Sequence, residues 1–352
     1  MTINEIARLA GVSRGTVDRV LHNRGKVDAE KERRIREIIK ETGFTPNIAA
    51  MALKRSTDHL RLGVLLPPRY KGSNPFYDEV IEGVKKAVED FKTYGVTVDL
   101  RYFPSFNPKE VTDFIRNIVS EGVDGLAMVG IDSQLIKDYI ASVRVPVVTL
   151  NTDFTNSSRL CFVGQNHLAA GRTAGRLLCR FLQHPGKIAP LISFGNLTAH
   201  TQRVEGMSSM MRACPWEVEV LPSLETHDSV EQAYDVVAEL IRREKDLACI
   251  YVAGGGQTGA SQALADSGRA GDITMACYDL LPQTLEHIRQ GVVDFTIGQQ
   301  PRLQGYLPVS ILYDYLVLGR KPEKECYYTA IDIRLPENVD YNGISVNTGL
   351  IH

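Results

Sequence analysis

From Leu60 onward the chain alternates apolar runs with amphipathic stretches of helical period, and few folds accommodate that alternation. The runs are "LRLGVLLPP", "VTVDLRYF", "DGLAMVG" and "VPVVTLN", then "KIAPLISFG", "LACIYVAGG", "DITMACYD" and "DFTIGQ". Between the first of them, Val80, Val84, Ala87, Val88 and Phe91 recur on one helical face, and so do Val111, Phe114, Ile115 and Ile118. A strand that is apolar on both faces must be covered on both. Repeated βα units therefore predict parallel sheets flanked by helices, and there are enough strands for two such lobes.

Residues before 60 follow another pattern. Thr2-x-x-Glu5 is a capping box, so a helix is predicted to start at about residue 3, with Ile6, Leu9 and Ala10 on one face. Gly11-Val12 breaks it. Ser13 suits the N-cap of a second helix that buries Val17, Val20 and Leu21, and a third helix after Asp28 carries Ile35, Ile38 and Ile39 until Thr42-Gly43. Two short helices joined by a tight glycine turn, then a third, describe a helix-turn-helix. In that motif the start of the second helix faces the major groove, which would explain why Arg14, Gly15 and Arg19 stand together. A solvated helix face is the competing account of these arginines. Charge favours nucleic acid: residues 1–58 hold 12 lysines and arginines against 8 acids, whereas the rest hold 28 against 34. The segment "GFTPNIAAMALKRS" (43–56) reads as a helix too short to bury itself, marginal in water unless something orders it.

Several classes are disfavoured. The six cysteines (161, 179, 214, 249, 277 and 326) form no C-x-x-C pair, so reduced buried thiols are expected rather than a metal site. Glu5 and Arg8 interrupt any apolar leader, and no uncharged run is apolar enough to span a membrane, which points to the cytoplasm. There is no nucleophile elbow, P-loop or His-x-x-x-His. The reading is therefore of no enzyme, with no catalytic residue, cofactor or metal.

"TINEIARLAGVSRGTVDRVL", followed by "GFTPNIAAMALK", resembles the head and hinge of the lactose-repressor (LacI) family of bacterial regulators, and the likeness extends over the whole chain. The resemblance implies a homodimer whose recognition helices enter two half-sites of a palindromic operator. It also implies paired hinge helices that order on DNA and push Leu53 into the minor groove, a known kinking device. By the same resemblance Arg14, Gly15 and Arg19 read bases, while Thr16, Asn23 and Lys26 lie near the backbone. Thr2, Ser13, Asn47 and Lys54 complete the DNA-contacting set. Asp18 departs from the serine usual in the family: it either orients Arg14 or accepts from a cytosine amine. His22 departs from a commoner asparagine.

For the body the resemblance implies a type I periplasmic-binding-protein fold, closest to sugar-binding members. "SNPFYDEVIEG" (73–83), "LNTD" (150–153), "HTQRVEG" (200–206), "CYD" (277–279) and "IGQQP" (297–301) match its site segments. They supply Asn74, Phe76, Tyr77, Asn151, Asp153, Arg203, Asp279 and Gln299, with His227 where an aromatic of the second lobe often closes. Taken singly, Phe76 and Tyr77 suit a core, and Asn151 and Asp153 suit turn caps; together they follow strand ends, where such sheets bind ligands. Gly254, Gly255 and Gly256 stand where many members carry Asn-Asp, so either the ligand is larger there or the backbone donates. A rival reading takes Gly254-x-Gly256-x-x-Gly259 and Asp279 as a dinucleotide fingerprint of an NAD-linked or redox-sensing protein.

The expected organisation is an α/β chain with an all-α helix-turn-helix head (1–44), a hinge and linker (45–59) and a two-lobed, doubly wound parallel-sheet body (60–352). It would act as a cytoplasmic, dimeric repressor responsive to a sugar or polyol. The C-terminus shows no leucine heptad for a coiled-coil tetramer.

Overall fold

A computed structural model describes residues 3–21, 27–42, 59–68, 75–154 and 156–341. In the head, α1 (Ile3–Ala10), α2 (Arg14–Leu21) and α3 (Ala29–Thr42) pack Ile6, Ala7, Ala10, Val17, Val20 and Ile35 into a small core. Gly11 turns the chain between the first two at φ +67°. Ser13 caps α2: its hydroxyl accepts from the Thr16 N–H at 3.2 Å. The apolar stripe of α1 differs from the expected one. Leu9 is 46% exposed and Ala7 is buried instead, because α1 presents the 6/7/10 side to its neighbours. Thr2 of the capping box, and the hinge segment with Asn47, Leu53 and Lys54, lie outside the described residues, as do Asn23, Lys26 and Asn74.

The body holds two sheets. The first consists of β1 (Leu60–Leu66), β2 (Val96–Tyr102), β3 (Gly125–Val129), β4 (Val147–Leu150), β5 (Cys161–Gln165) and β12 (Cys326–Thr329), all parallel in the order 12-5-4-3-1-2. The second consists of β6 (Gly186–Ile192), β7 (Val218–Val220), β9 (Leu247–Val252), β10 (Thr274–Tyr278), β11 (Phe295–Gly298) and β13 (Asp332–Arg334), in the order 13-11-10-9-6-7, with β8 (Leu224–Glu225) pairing β6. Here β13 alone runs antiparallel among the described pairings. The first lobe carries α4 (Phe76–Phe91), α5 (Pro108–Ser120), α6 (Gln134–Ser142) and α12 (Pro301–Leu318). The second carries α7 (His167–Phe181), α8 (Thr198–Met211), α9 (Val230–Arg243), α10 (Gln257–Asp266) and α11 (Pro282–Arg289). All eight apolar runs read from the sequence contain strands. The short β5, β7 and β8 and the late β12 and β13 were not foreseen, since none is a long apolar run.

The chain passes between lobes three times: after β5, after β11 and between β12 and β13. Gln165, fully buried at the first crossing, ties the three together. Its amide donates to the carbonyls of Gly298 (3.0 Å) and Ala330 (2.9 Å) at the other two. On the lobes' facing edges Phe106 stacks on Phe194 with centroids 4.1 Å apart, Asn196 donates to the Phe106 carbonyl at 3.1 Å, and Thr198 donates to the Asp153 carbonyl at 2.6 Å.

Helix pairs pack at backbone contact. A Cβ on Gly83 of α4 would stand 1.9 Å from the Arg302 carbonyl of α12, and one on Gly305 of α12 would stand 1.9 Å from the Val80 carbonyl of α4. A Cβ on Gly171 of α7 would likewise stand 2.2 Å from the Arg203 carbonyl, and this close approach fixes where α8 sets Arg203. Overpacking a rigid core typically costs about 1–3 kcal/mol. Gly305→Ala should therefore lower stability in urea unfolding by about that amount or more. A loss under about 0.5 kcal/mol would show that the helices separate freely.

Candidate functional site

Residues at the carboxyl ends of the strands converge between the lobes. On the first lobe, Asn151 follows β4 in the left-handed region at φ +61°, a conformation that asparagine tolerates better than most residues. Its side-chain oxygen accepts from the Tyr77 hydroxyl at 3.0 Å and its amide donates to Gln304 Oε1 at 3.3 Å. Its carbonyl faces His167 Nε2 at 2.7 Å, so that nitrogen carries the proton. Phe76 is 3% exposed and meets the edge of Tyr77 at 5.2 Å between centroids, so it serves the core as well as the cleft. Asp153 is committed elsewhere. Arg159 grips both its oxygens at 2.6 Å and Thr149 donates to one of them at 2.6 Å, which accounts for its burial without any ligand.

On the second lobe Arg203 is the organising charge, 3% exposed. Its guanidinium lies over the Tyr278 ring at 3.8 Å and donates to the Ala253 carbonyl at 2.9 Å and to Gln299 Oε1 at 2.5 Å. The Gln299 amide in turn donates to Asp279 Oδ1 at 2.5 Å. Arg203 Nε is buried without a hydrogen-bond partner. Asp279, at φ +74°, is anchored through its carbonyl by Thr296 at 2.9 Å. His227 sits on the rim: its side chain is 47% exposed, it faces Glu225 at 3.1 Å and Gln232 at 2.9 Å, and it meets the Phe194 ring edge-on.

Asp228 was not foreseen. Both it and His227 are left-handed, at φ +56° and +50°. Its Oδ1 accepts from the Ser193 hydroxyl at 2.5 Å, and that hydroxyl accepts from the Gly255 N–H at 2.7 Å. Positive φ at residues other than glycine is costly and tends to collect at functional sites. Among the described residues it occurs at six positions, of which Asn151, His227, Asp228, Asp279 and Gln300 lie at the cleft or its crossings.

The electrostatics follow from enclosure. Burial pushes the Tyr77 phenol well above its usual range, the charges of Asp228 and Asp279 push it further, and Arg203 opposes them. These three charges of the second lobe therefore converge on a hydroxyl of the first. Burial also raises the Asp228 carboxyl. His167 is held well below the normal imidazole range and His200 is lowered to about 3, both mainly by burial and next by the Arg203 charge, so both stay neutral. A cavity of about 690 Å³ adjoins the site, lined by Phe76, Asp279 and Gln299 together with Glu79, Lys86 and Arg302 of the outer helices. That size suits a small molecule.

The glycine loop does not suit a pyrophosphate. Gly256, at φ +92°, does open α10, but a Cβ on Gly255 would fall 1.9 Å from Asp228 Oδ1. A carboxylate occupies the ground where a dinucleotide's phosphates would approach, and like charges repel. Among the described residues, no group of three or more His, Cys, Asp or Glu is placed to hold a metal ion.

In the head, Ser13, Arg14, Gly15 and Arg19 are exposed on one side of α2, with Thr16 half-buried. Arg19 rests on its own helix, donating to the Gly15 carbonyl at 3.2 Å and to Thr16 Oγ1 at 3.4 Å.

Comparison with known proteins places these features. Residues 64–321 match the periplasmic binding protein domain, and residues 2–47 match the bacterial regulatory proteins of the lacI family. The HTH-type transcriptional regulator DegA of Bacillus subtilis is 25% identical over 69% of this chain and 70% of its own length. The xylose/arabinose-binding protein XylF of Sulfolobus acidocaldarius is 23% identical over 70% of this chain, and the match spans 64% of XylF, just under two thirds. A structure described as a LacI transcriptional regulator from Bacteroides fragilis superposes with a TM-score of 0.72 at 20% identity, covering 81% of this chain and 100% of that one.

The neutral imidazoles, His167 buried and His200 half-buried, carry a pH consequence. His200 titrates near 6.5 when unfolded and near 3 when folded. Its contribution is thus complete above 6.5 and is lost as the pH falls from there toward 3. At pH 5 the loss for this one group is about 2 kcal/mol. Urea unfolding at pH 7.5 and pH 5 should show a decline that His200→Gln reduces; a decline identical in the variant would mean that folding does not hold His200 neutral.

Proposed function

Because this chain is a LacI-family DNA-binding regulator whose body belongs to the periplasmic binding protein domain family, we propose that a sugar or polyol held between the lobes controls how its head engages operator DNA. The observation that carries this reading is the convergence of Tyr77 and Asn151 from one lobe with Arg203, Asp279 and Gln299 from the other. A ligand touching both sides favours one lobe arrangement over another, and a ligand shifts an equilibrium only by its differential affinity for the two states. Sugar hydroxyls need fixed donors and acceptors, the apolar face of the ring packs on an aromatic, and the cleft supplies both. XylF, by its name, binds xylose and arabinose, which supports the same ligand class here.

The chain acts as a cytoplasmic homodimer and a repressor, without catalytic activity of its own. Its two heads read a palindromic operator through Arg14, Gly15 and Arg19, with Thr16, Asn23 and Lys26 near the backbone. Thr2, Ser13, Asn47, Lys54 and the wedge Leu53 complete the contacts. Division of the chain at about 44 and 59 leaves the head free to change partners while the body keeps its fold. The coupling is reciprocal: an effector that weakens operator binding is itself bound more weakly by the operator complex.

Calorimetry with a panel of pentoses, hexoses and polyols tests the cleft. Asp279→Asn should weaken the bound member by about 1.5–3 kcal/mol, the range for a hydrogen bond to a charged group, and leave operator affinity without ligand unchanged. Phe76→Ala should weaken it as well. Affinity that survives Phe76→Ala and falls only with Asp279→Asn would rule out a sugar stacked in this cleft.

A further inference from the structure

The glycine triplet after β9 and the left-handed pair after β8 form one device. An asparagine-aspartate pair in place of the triplet would put side chains at positions that here carry none. Asp228 fills the gap from the neighbouring loop. A side chain at 255 would strike its carboxylate, and Ser193 bridges the two segments, donating to Asp228 while accepting from Gly255. The glycines therefore do not enlarge the site: they admit a carboxylate from another strand end.

We propose that Asp228 is a ligand-contacting residue which, together with Asp279, makes the site select polyhydroxy compounds that carry no negative charge, amino sugars included. This rests on the cleft reading above and narrows it. Among the described residues, three charged groups act on the Tyr77 hydroxyl: Asp228 and Asp279 are acidic and Arg203 is basic. The positive charge is already engaged, by Gln299, the Ala253 carbonyl and the Tyr278 ring. Lys86 and Arg302 of the outer cavity are paired with Asp90 and Glu79. Among the described residues around the Tyr77 hydroxyl, a phosphate or carboxylate on the ligand would meet two acids and the remaining Nε–H of Arg203, whereas vicinal hydroxyls or an ammonium supply the donors that two carboxylates accept. His167 and His200 are neutral and add no positive charge to attract an anion.

The strain at residues 227 and 228 fits this role. Two successive left-handed residues other than glycine are held only where surrounding bonds over-determine them, and Ser193 and Gly255 supply those bonds. A carboxylate whose burial opposes its own charge is poorly placed for stability and well placed to accept from a ligand.

The test is calorimetry on the full-length chain with D-ribose, L-arabinose, D-xylose, D-glucose, myo-inositol and D-glucosamine, each sugar set against its anionic counterparts, D-ribose 5-phosphate, D-glucose 6-phosphate and D-glucuronate. The bound neutral or amino compound should exceed its anionic counterpart by tenfold or more. Asp228→Asn should weaken it by about ten- to a hundredfold, while the melting temperature without ligand stays the same or rises, since a buried carboxylate becomes an amide. Gly255→Ala, which crowds the carboxylate without removing it, should weaken the same compound. An anionic compound bound as tightly as its neutral partner overturns the proposal. So does Asp228→Asn affinity within about twofold of the parent while Asp279→Asn affinity falls, an outcome that leaves the cleft reading standing. Failure of every compound to bind overturns both.

Discussion

Two lobes joined by three separate strands of chain can move only as those crossings allow. Gln165 sits at that constraint: one buried amide, hydrogen-bonded to the carbonyls of Gly298 and Ala330, links all three crossings. Breaking either bond would leave a buried N–H donor unmade, so the three crossings hold together. The cleft lies at the carboxyl ends of both sheets because parallel strands deliver their following loops to one edge. Each further feature of the site depends on which side chain each of those loops offers.

The second lobe's site is built around a buried positive charge. A guanidinium as enclosed as that of Arg203 must be surrounded by acceptors, and the sequence provides an aromatic face, a carbonyl and the Gln299 amide oxygen. Gln299 then passes the polarity to Asp279. The arrangement leaves acidic character facing the cleft and little spare positive charge. Removing one member of such a network exposes the others unpaired, so its members act together. The first lobe answers with neutral groups, the Tyr77 hydroxyl donating to Asn151.

Much of this was legible in the sequence, for identifiable reasons. Strands apolar on both faces declare a parallel sheet, and all eight apolar runs became strands, whereas β5, β12 and β13 are too short or too mixed to stand out. Phe76, Tyr77, Asn151, Arg203, Asp279 and Gln299 each follow a strand end or open a helix beside one, and the fold brings them together. Asp153 shares that placement but pairs with Arg159, and sequence spacing carries no sign of such a pairing. Asp228 was hidden for the converse reason: its role depends on the space left by Gly255, which lies on another strand end. In the head, Ser13 capped its helix as expected, while Leu9 turned outward because packing against α2 and α3, not periodicity alone, selects the buried face.

The central claim is that cleft and head share one equilibrium. The direct measurement is a pair of titrations on the full-length chain: operator DNA, selected from a random pool, bound with and without the saturating cleft ligand, and the ligand bound with and without saturating operator. Each should change the other's affinity by the same factor, and Asp279→Asn should leave operator affinity without ligand unaltered. Ligand affinity identical in the free and operator-bound protein would contradict it.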